Sequence, residues 1–236
     1  MIKVATYNIK HASNNARYAE AIGQLIKDEQ IDIIGIQEID MFCKRSGNVD
    51  VLDKIAKASG LNYYKFNKTI NWENGEYGIG VLSKYPFTTE EVHYLPNCKE
   101  QRALVTTTID LNGLKFKFLV THLELGTYQD VRRLQFSEIK ERVKNFDSFI
   151  LTGDFNVSDW TKENNFFEFD EYLSEYSIVN NPSNTFMSYS GAECIGNGFL
   201  PIDNIILSKD FKVLNTKMVD TDYSDHDILI CEIERE

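Results

Sequence analysis

The chain has 236 residues, 42% hydrophobic and 26% charged, an ordinary globular composition, long for one domain and short for two. Its 25 basic and 36 acidic residues give a formal charge of −11, which sets the long-range field against nucleic acid; only a local basic patch or bound cations can reverse the sign at one site. No apolar run approaches the ~20 residues of a membrane helix. Cys43, Cys98, Cys194 and Cys231 lack C-x-x-C spacing, which argues for free thiols over a zinc site or a disulfide framework.

"MIKVATYNIK" enters a strand pattern over 2–9 without the segments of a leader peptide, so a cytoplasmic location is expected. Residues 15–29 predict a helix, with Ala19, Ile22, Leu25 and Ile26 at helical spacing behind Asn14 as a candidate cap. A strand over 31–37 precedes a helix over 49–59 carrying Leu52, Ile55 and Ala56. Strands follow over 61–66, 79–83, 102–110 and 114–121, the last two as a hairpin, "LKFKFLV" alternating at period two.

The segment 127–146 predicts a helix opened by a Thr127/Asp130 capping box, with Val131, Leu134, Ile139 and Val143 on one stripe. Its cations, Arg132, Arg133, Lys140, Arg142 and Lys144, interleave with Glu138 and Glu141 and read as a solvated face. A strand over 148–153 comes next, then a helix bearing Phe166, Phe167 and Phe169, then strands over 202–207, 212–219 and 226–233. No repeat or linker interrupts the chain, so 1–236 is expected to be one domain and a monomer. Hairpins with few helices predict an α/β fold of two mixed sheets packed face to face with helices outside, not a doubly wound parallel sheet.

Several strands end in the same kind of residue. Asn8, Glu38, His122, Asp154 and Asn156 close strands, while Asp203, Asp225 and His226 stand where strands begin. Any one of them has a structural explanation: a turn at Asn8, a core histidine at His122, an ion pair at Asp203. Together they are the inventory that holds a hard cation and moves a proton.

The ordered motifs "TYNI" at 6–9, "QE" at 37–38, "YGIGVLSKYP" at 77–86, "QRALV" at 101–105, "THLELG" at 121–126, "GDFN" at 153–156, "IDNIILS" at 202–208 and "SDH" at 224–226 resemble those of the endonuclease/exonuclease/phosphatase superfamily, the DNase I-like proteins. The resemblance implies a four-layer α/β sandwich with the site at one edge of two packed sheets, and a Mg²⁺- or Mn²⁺-dependent hydrolase acting on phosphoric esters. Carried over by position, Glu38 resembles the main metal ligand, with Asn8 beside it and Asp225 on the metal side. Asp154 and Asn156 resemble the residues that position the attacking water and bind the phosphate. His226, oriented by Asp203, resembles the histidine at the reacting phosphate, and His122 a donor to it. Arg102 and Tyr77 are candidate substrate contacts, although an ordinary surface arginine would also explain Arg102.

Lys10 stands where AP endonucleases carry an acidic or amide residue. "GDFNVSDW" lacks the arginine of inositol 5-phosphatases, and a secreted sphingomyelinase, which would need an export signal, is not expected. What remains resembles a compact bacterial branch of metal-dependent hydrolases. The expected activity is hydrolysis of a phosphodiester by activated water; a DNA or RNA nuclease and a catalytically silent binding module are the alternatives.

Overall fold

The computed structural model describes residues 1–157, 177–178, 186–187, 199–200 and 202–235. It begins with β1 (Ile2–Asn8), α1 (Ala19–Asp28), β2 (Ile33–Met41) and α2 (Val51–Ser59). Then come β3 (Tyr63–Trp72), β4 (Gly75–Ser83), β5 (Phe87–Leu95), β6 (Arg102–Leu111) and β7 (Leu114–His122). After α3 (Gln129–Val143) and β8 (Phe149–Asp154) lie three two-residue strands, β9 (Ser177–Ile178), β10 (Phe186–Met187) and β11 (Phe199–Leu200). The chain closes with β12 (Asp203–Leu207), β13 (Phe211–Val219) and β14 (Ile228–Arg235).

The strands form two six-stranded mixed sheets, ordered β13-β14-β1-β2-β4-β3 and β5-β6-β7-β8-β12-β9, with β10 and β11 paired separately. Consecutive residues of a strand face opposite sides of its sheet. In β8, Ile150 enters the core between the sheets and Leu151 the core under α3. In β1, Val4 faces the inter-sheet core and Ala5 the core under α1 and α2. Both faces are covered, so these strands read as unbroken apolar runs. The result is helix, sheet, sheet, helix: the four-layer α/β sandwich expected. Among the described residues no helix is long and apolar enough to cross a membrane.

The parallel neighbours β1/β2 and β7/β8 bring the carboxyl ends of four strands to one edge of the sandwich. Glycine allows the central strands to approach closely. A Cβ on Gly35 of β2 would lie 2.2 Å from Thr152 Oγ1 of β8, across the two sheets. A Cβ on Gly153 would lie 2.7 Å from the Thr121 carbonyl of β7, which explains the glycine just ahead of Asp154.

The helix over 49–59 forms as α2, where Asp50 accepts from the Asp53 N–H at 2.9 Å and Gly60 ends the helix in the left-handed region. Three expectations are corrected. The first helix begins only at Ala19 with Tyr18, not Asn14, at its N-cap, because left-handed φ at Lys10, His11, Ala12, Ser13, Asn15 and Ala16 breaks the path into 3₁₀ turns. The Thr127/Asp130 capping box does not form; Tyr128 is the N-cap of α3 and makes no side-chain cap bond. The buried face of α3 is Arg132, Gln135, Phe136, Ile139 and Val143, and Leu134 is exposed. That face mixes polar and apolar residues, so an apolar stripe could not reveal it.

Strand β5 was absent from the sequence pattern because it is a polar edge strand. His93 and Glu91 on it pair with Glu138 and Arg142 of α3 at 2.6 and 2.8 Å. The expected helix at Phe166, Phe167 and Phe169, and Cys194, lie outside the described residues. Cys43, Cys98 and Cys231 are free thiols, and burial pushes that of Cys231 up to about 12.

Gly35→Ala forces a methyl group against the Thr152 hydroxyl and the Val120 side chain, at 2.2 and 2.9 Å. We expect a loss of ~1–3 kcal/mol, read as a lower urea midpoint at unchanged m-value. Unchanged stability would mean that the sheets are not in contact there.

Candidate active site

Both sheets contribute to one cleft. In the second sheet, register sets three groups in a row across adjacent strands: His122 of β7 opposite Asp154 of β8, and Asp203 of β12 opposite the same Asp154. In the first sheet, β1 ends at Asn8 beside Gln37, and a bulge in β2 between Ile36 and Ile39 shifts its register against β4. Glu38 sits in that bulge with φ +59°, a left-handed conformation costly for a residue with a side chain, and its carboxylate joins the cleft. Asn156 has φ +54° just past β8, and its amide Nδ2 donates to the Leu123 carbonyl at 2.9 Å.

The sheets are tied together at the site by two polar contacts. Asn8 Nδ2 donates to Glu38 Oε1 at 2.9 Å and to Asp154 Oδ2 at 3.0 Å, joining a carboxylate from each sheet. Its Oδ1 accepts from the Lys10 N–H at 3.1 Å, so its nitrogen, and not its oxygen, is turned to the acids. His226, just before β14, places Nδ1 2.7 Å from Asp203 Oδ2 and Nε2 3.8 Å from Asp154 Oδ2. His122 Nε2 lies 3.4 Å from the same oxygen. The cleft of about 390 Å³ is lined by Glu38, His122, Asp154, Asn156, Asp225 and His226, with Lys10 and Leu125 at its wall. Asp203 is wholly buried behind His226.

Burial opposes charge on His226, but Asp203, then Asp154 and Glu38, outweigh it and hold the imidazolium up to about 10. Burial, then repulsion from Asp203, raises Asp154 well above the usual carboxylate range; a cation beside Glu38 would draw it back. Burial, then Arg102 and His226, keeps His122 neutral. Ligand-capable atoms of Asp154, Asp203 and His226 lie within 4.8 Å of one another.

Asp225 lines the cleft as expected, but its Oδ2 accepts from Lys10 Nζ at 2.7 Å. Arg102 and Tyr77 lie instead in an adjoining recess of about 280 Å³ that shares Glu38, His122 and Leu125 with the cleft. Arg102 is buried, so the surface-arginine reading is corrected; it donates to Glu100 at 2.8 Å. Arg132, read as solvated, is also buried: it donates to the Asn156 carbonyl at 2.6 Å and fixes the loop behind Asp154.

Sequence reasoning missed Arg45, Trp72 and Glu100 of the recess and the place of Lys10. Arg45 forms a two-bond contact with buried Asp40 at 2.7 and 2.8 Å and lies 5.6 Å from the centre of the Trp72 ring. Asp40, an acid in an apolar strand, was the available signal, since a buried carboxylate requires a partner.

Residues 5–226 match the pattern of the Endonuclease/Exonuclease/phosphatase family, and the chain belongs to that family. The superfamily is hydrolytic, acts on phosphoester bonds and includes metal-dependent phosphoesterases and nucleases. An endonuclease/exonuclease/phosphatase from Beutenbergia cavernae DSM 12333 superposes with a TM-score of 0.83 at 22% identity, over 99% of this chain and 71% of that one. TDP2 of D. rerio, complexed with a single-strand DNA product, gives 0.76 at 14% identity over 99% and 98%. A mannosyl-6-phosphatase of Bacteroides thetaiotaomicron VPI-5482 gives 0.66 at 17% over 99% and 100%. At these identities the likeness is one of fold.

Because Asp203 holds the charge on His226, Asp203→Asn should convert a ring that is imidazolium at pH 7 into a neutral one. Nitrogen-15 NMR of the metal-free protein reads this directly. An imidazolium that persists in the variant would show that Asp203 does not hold the charge.

Proposed function

We propose that this chain is a Mg²⁺- or Mn²⁺-dependent phosphoesterase that hydrolyses a small phosphodiester by in-line attack of water. The observation that carries the reading is the junction of Glu38 and Asp154, one from each sheet, through Asn8, beside the Asp203–His226 pair. Among the described residues the cleft offers the carboxylates of Glu38, Asp154 and Asp225 beside two imidazoles and an amide, with no thiol, and oxygen donors of this kind suit a hard divalent cation. Glu38 is the ligand we assign. Asn8 orients it, and few protein ligands suit an ion that retains several waters. Placing the cation among Asp154, Asp203 and His226 would require breaking the 2.7 Å contact of a fully buried aspartate. Bound at Glu38, the cation supplies positive charge against the phosphate and acidifies water.

The side chains account for the remaining steps. Asp154, in contact with Asn8 and near both histidines, orients the attacking water and takes its proton. His226, as imidazolium, donates from Nε2 to a phosphate oxygen as charge builds there, and Asp203 keeps its proton on Nδ1. Neutral His122 is a second donor. Asn156 uses one amide hydrogen on Leu123 and offers the other to phosphate. The recess with Arg102 and Tyr77 receives the leaving group. Its arginines lie beside Asp40 and Glu100, so the region is no cationic track for a nucleic-acid backbone. A binding module has no need of an Asp–His proton pair.

We expect hydrolysis of bis-p-nitrophenyl phosphate that disappears with EDTA, returns with Mg²⁺ or Mn²⁺, and depends weakly on salt. Glu38→Gln should raise the metal concentration required by ~10-fold or more. Restoration by Zn²⁺ alone would refute the ligand assignment. Nicking of plasmid DNA at catalytic enzyme concentration, abolished by His226→Ala, would make the protein a nuclease instead.

A further inference from the structure

Lys10 occupies an unusual position. It opens a turn in which Lys10, His11, Ala12 and Ser13 all have φ between 44° and 61°. Non-glycine residues enter that region at a cost and remain there only when surrounding contacts hold them. Here the Lys10 N–H donates to Asn8 Oδ1 at 3.1 Å, its carbonyl accepts from Ser13 at 3.0 Å, and Ala12 donates to Ile9 at 2.8 Å. The turn is therefore built onto the amide that joins Glu38 to Asp154. It sends the Lys10 ammonium over the cleft to Asp225 Oδ2 at 2.7 Å. Ser224 closes the other side, donating to the Asn8 carbonyl at 2.7 Å and lying 3.4 Å from Asp225 Oδ1.

In-line displacement at phosphorus is commonly clamped by two positive centres, and two-metal enzymes provide them as ions ~3.5–4 Å apart held by several shared carboxylates. In this cleft Glu38 and Asp154 stand together on one side of Asn8. Asp225, the carboxylate a second ion would require, is already neutralised by a lysine that its own backbone aims there. We propose that the Lys10–Asp225 ion pair takes the place of a second metal: the cleft binds one divalent cation per chain, and the Lys10 ammonium is the other positive centre at the phosphate. The inference rests on the phosphoesterase reading above and adds a stoichiometry and a catalytic residue to it.

The Lys10 side chain is 47% exposed while that of Asp225 is 15% exposed, and an ion pair with one end in solvent adds little to fold stability, so Lys10 variants should fold. The test is a Mn²⁺ titration of the full chain, with free Mn²⁺ followed by electron paramagnetic resonance, a readout independent of turnover. The wild type should bind one ion per chain. Lys10→Met, which frees Asp225, should bind two, the second more weakly, and the Lys10→Met/Asp225→Asn double variant should return to one. Lys10→Arg should bind one. In turnover of bis-p-nitrophenyl phosphate, Lys10→Met should lose ~10²-fold in kcat, and Mn²⁺ sufficient to fill the second site should restore part of it. Two ions in the wild type, or one in Lys10→Met, would overturn the proposal while leaving the phosphoesterase reading intact. A wild type that binds no Mn²⁺ would instead remove that reading.

Discussion

The Asn8 side chain is the contact on which the site depends. One amide nitrogen donates to Glu38 at the edge of the first sheet and to Asp154 at the edge of the second. Neither sheet holds the full set of groups. The first supplies Asn8 and Glu38 and leads into β14 from His226; the second supplies His122, Asp154 and Asp203. Their relative position is set several residues away, where β2 and β8 approach so closely that Gly35 has no room for a side chain. Packing in the middle of the sandwich thus fixes polar geometry at its rim, and a close-packed interior transmits such constraints well.

The same seam concentrates charge. Asp154, Asp203 and His226 are all buried, and buried charges persist only when paired or hydrogen-bonded. Asp203 Oδ2 and His226 Nδ1 pair with each other, whereas Asp154 is crowded by Asp203 and raised. That leaves the rim short of positive charge, the condition under which a cation binds and an anionic ester can follow it. Left-handed backbone is found at the same place: Glu38, Asn156 and the turn at Lys10 all adopt it beside the cleft, and each is held by a bulge or by hydrogen bonds.

The layers were legible in the sequence because inner strands covered on both faces read as apolar runs. The polar strand ends were legible because acids, amides and histidines interrupt those runs abruptly, as at Asp154 and Asn156. The rest depended on three-dimensional partners. Arg132 and Gln135 look like surface residues of an amphipathic helix, yet they are buried because carbonyls at Asn156 and Pro96 need donors. Arg102 and Glu100 are near in sequence, but nothing in their spacing reveals that a recess encloses both. The reach of Lys10 to Asp225 follows from a left-handed turn of residues without glycine, and local propensity argues against such a turn.

In the proposed mechanism a cation at Glu38 stands apart from a proton pair at Asp203 and His226. Anomalous diffraction from Mn²⁺-soaked crystals tests that division most directly. A peak is expected against the Glu38 carboxylate with the Asp203–His226 contact intact. A peak bound by Asp203 Oδ2 and His226 Nδ1, with Glu38 turned away from it, would contradict that mechanism.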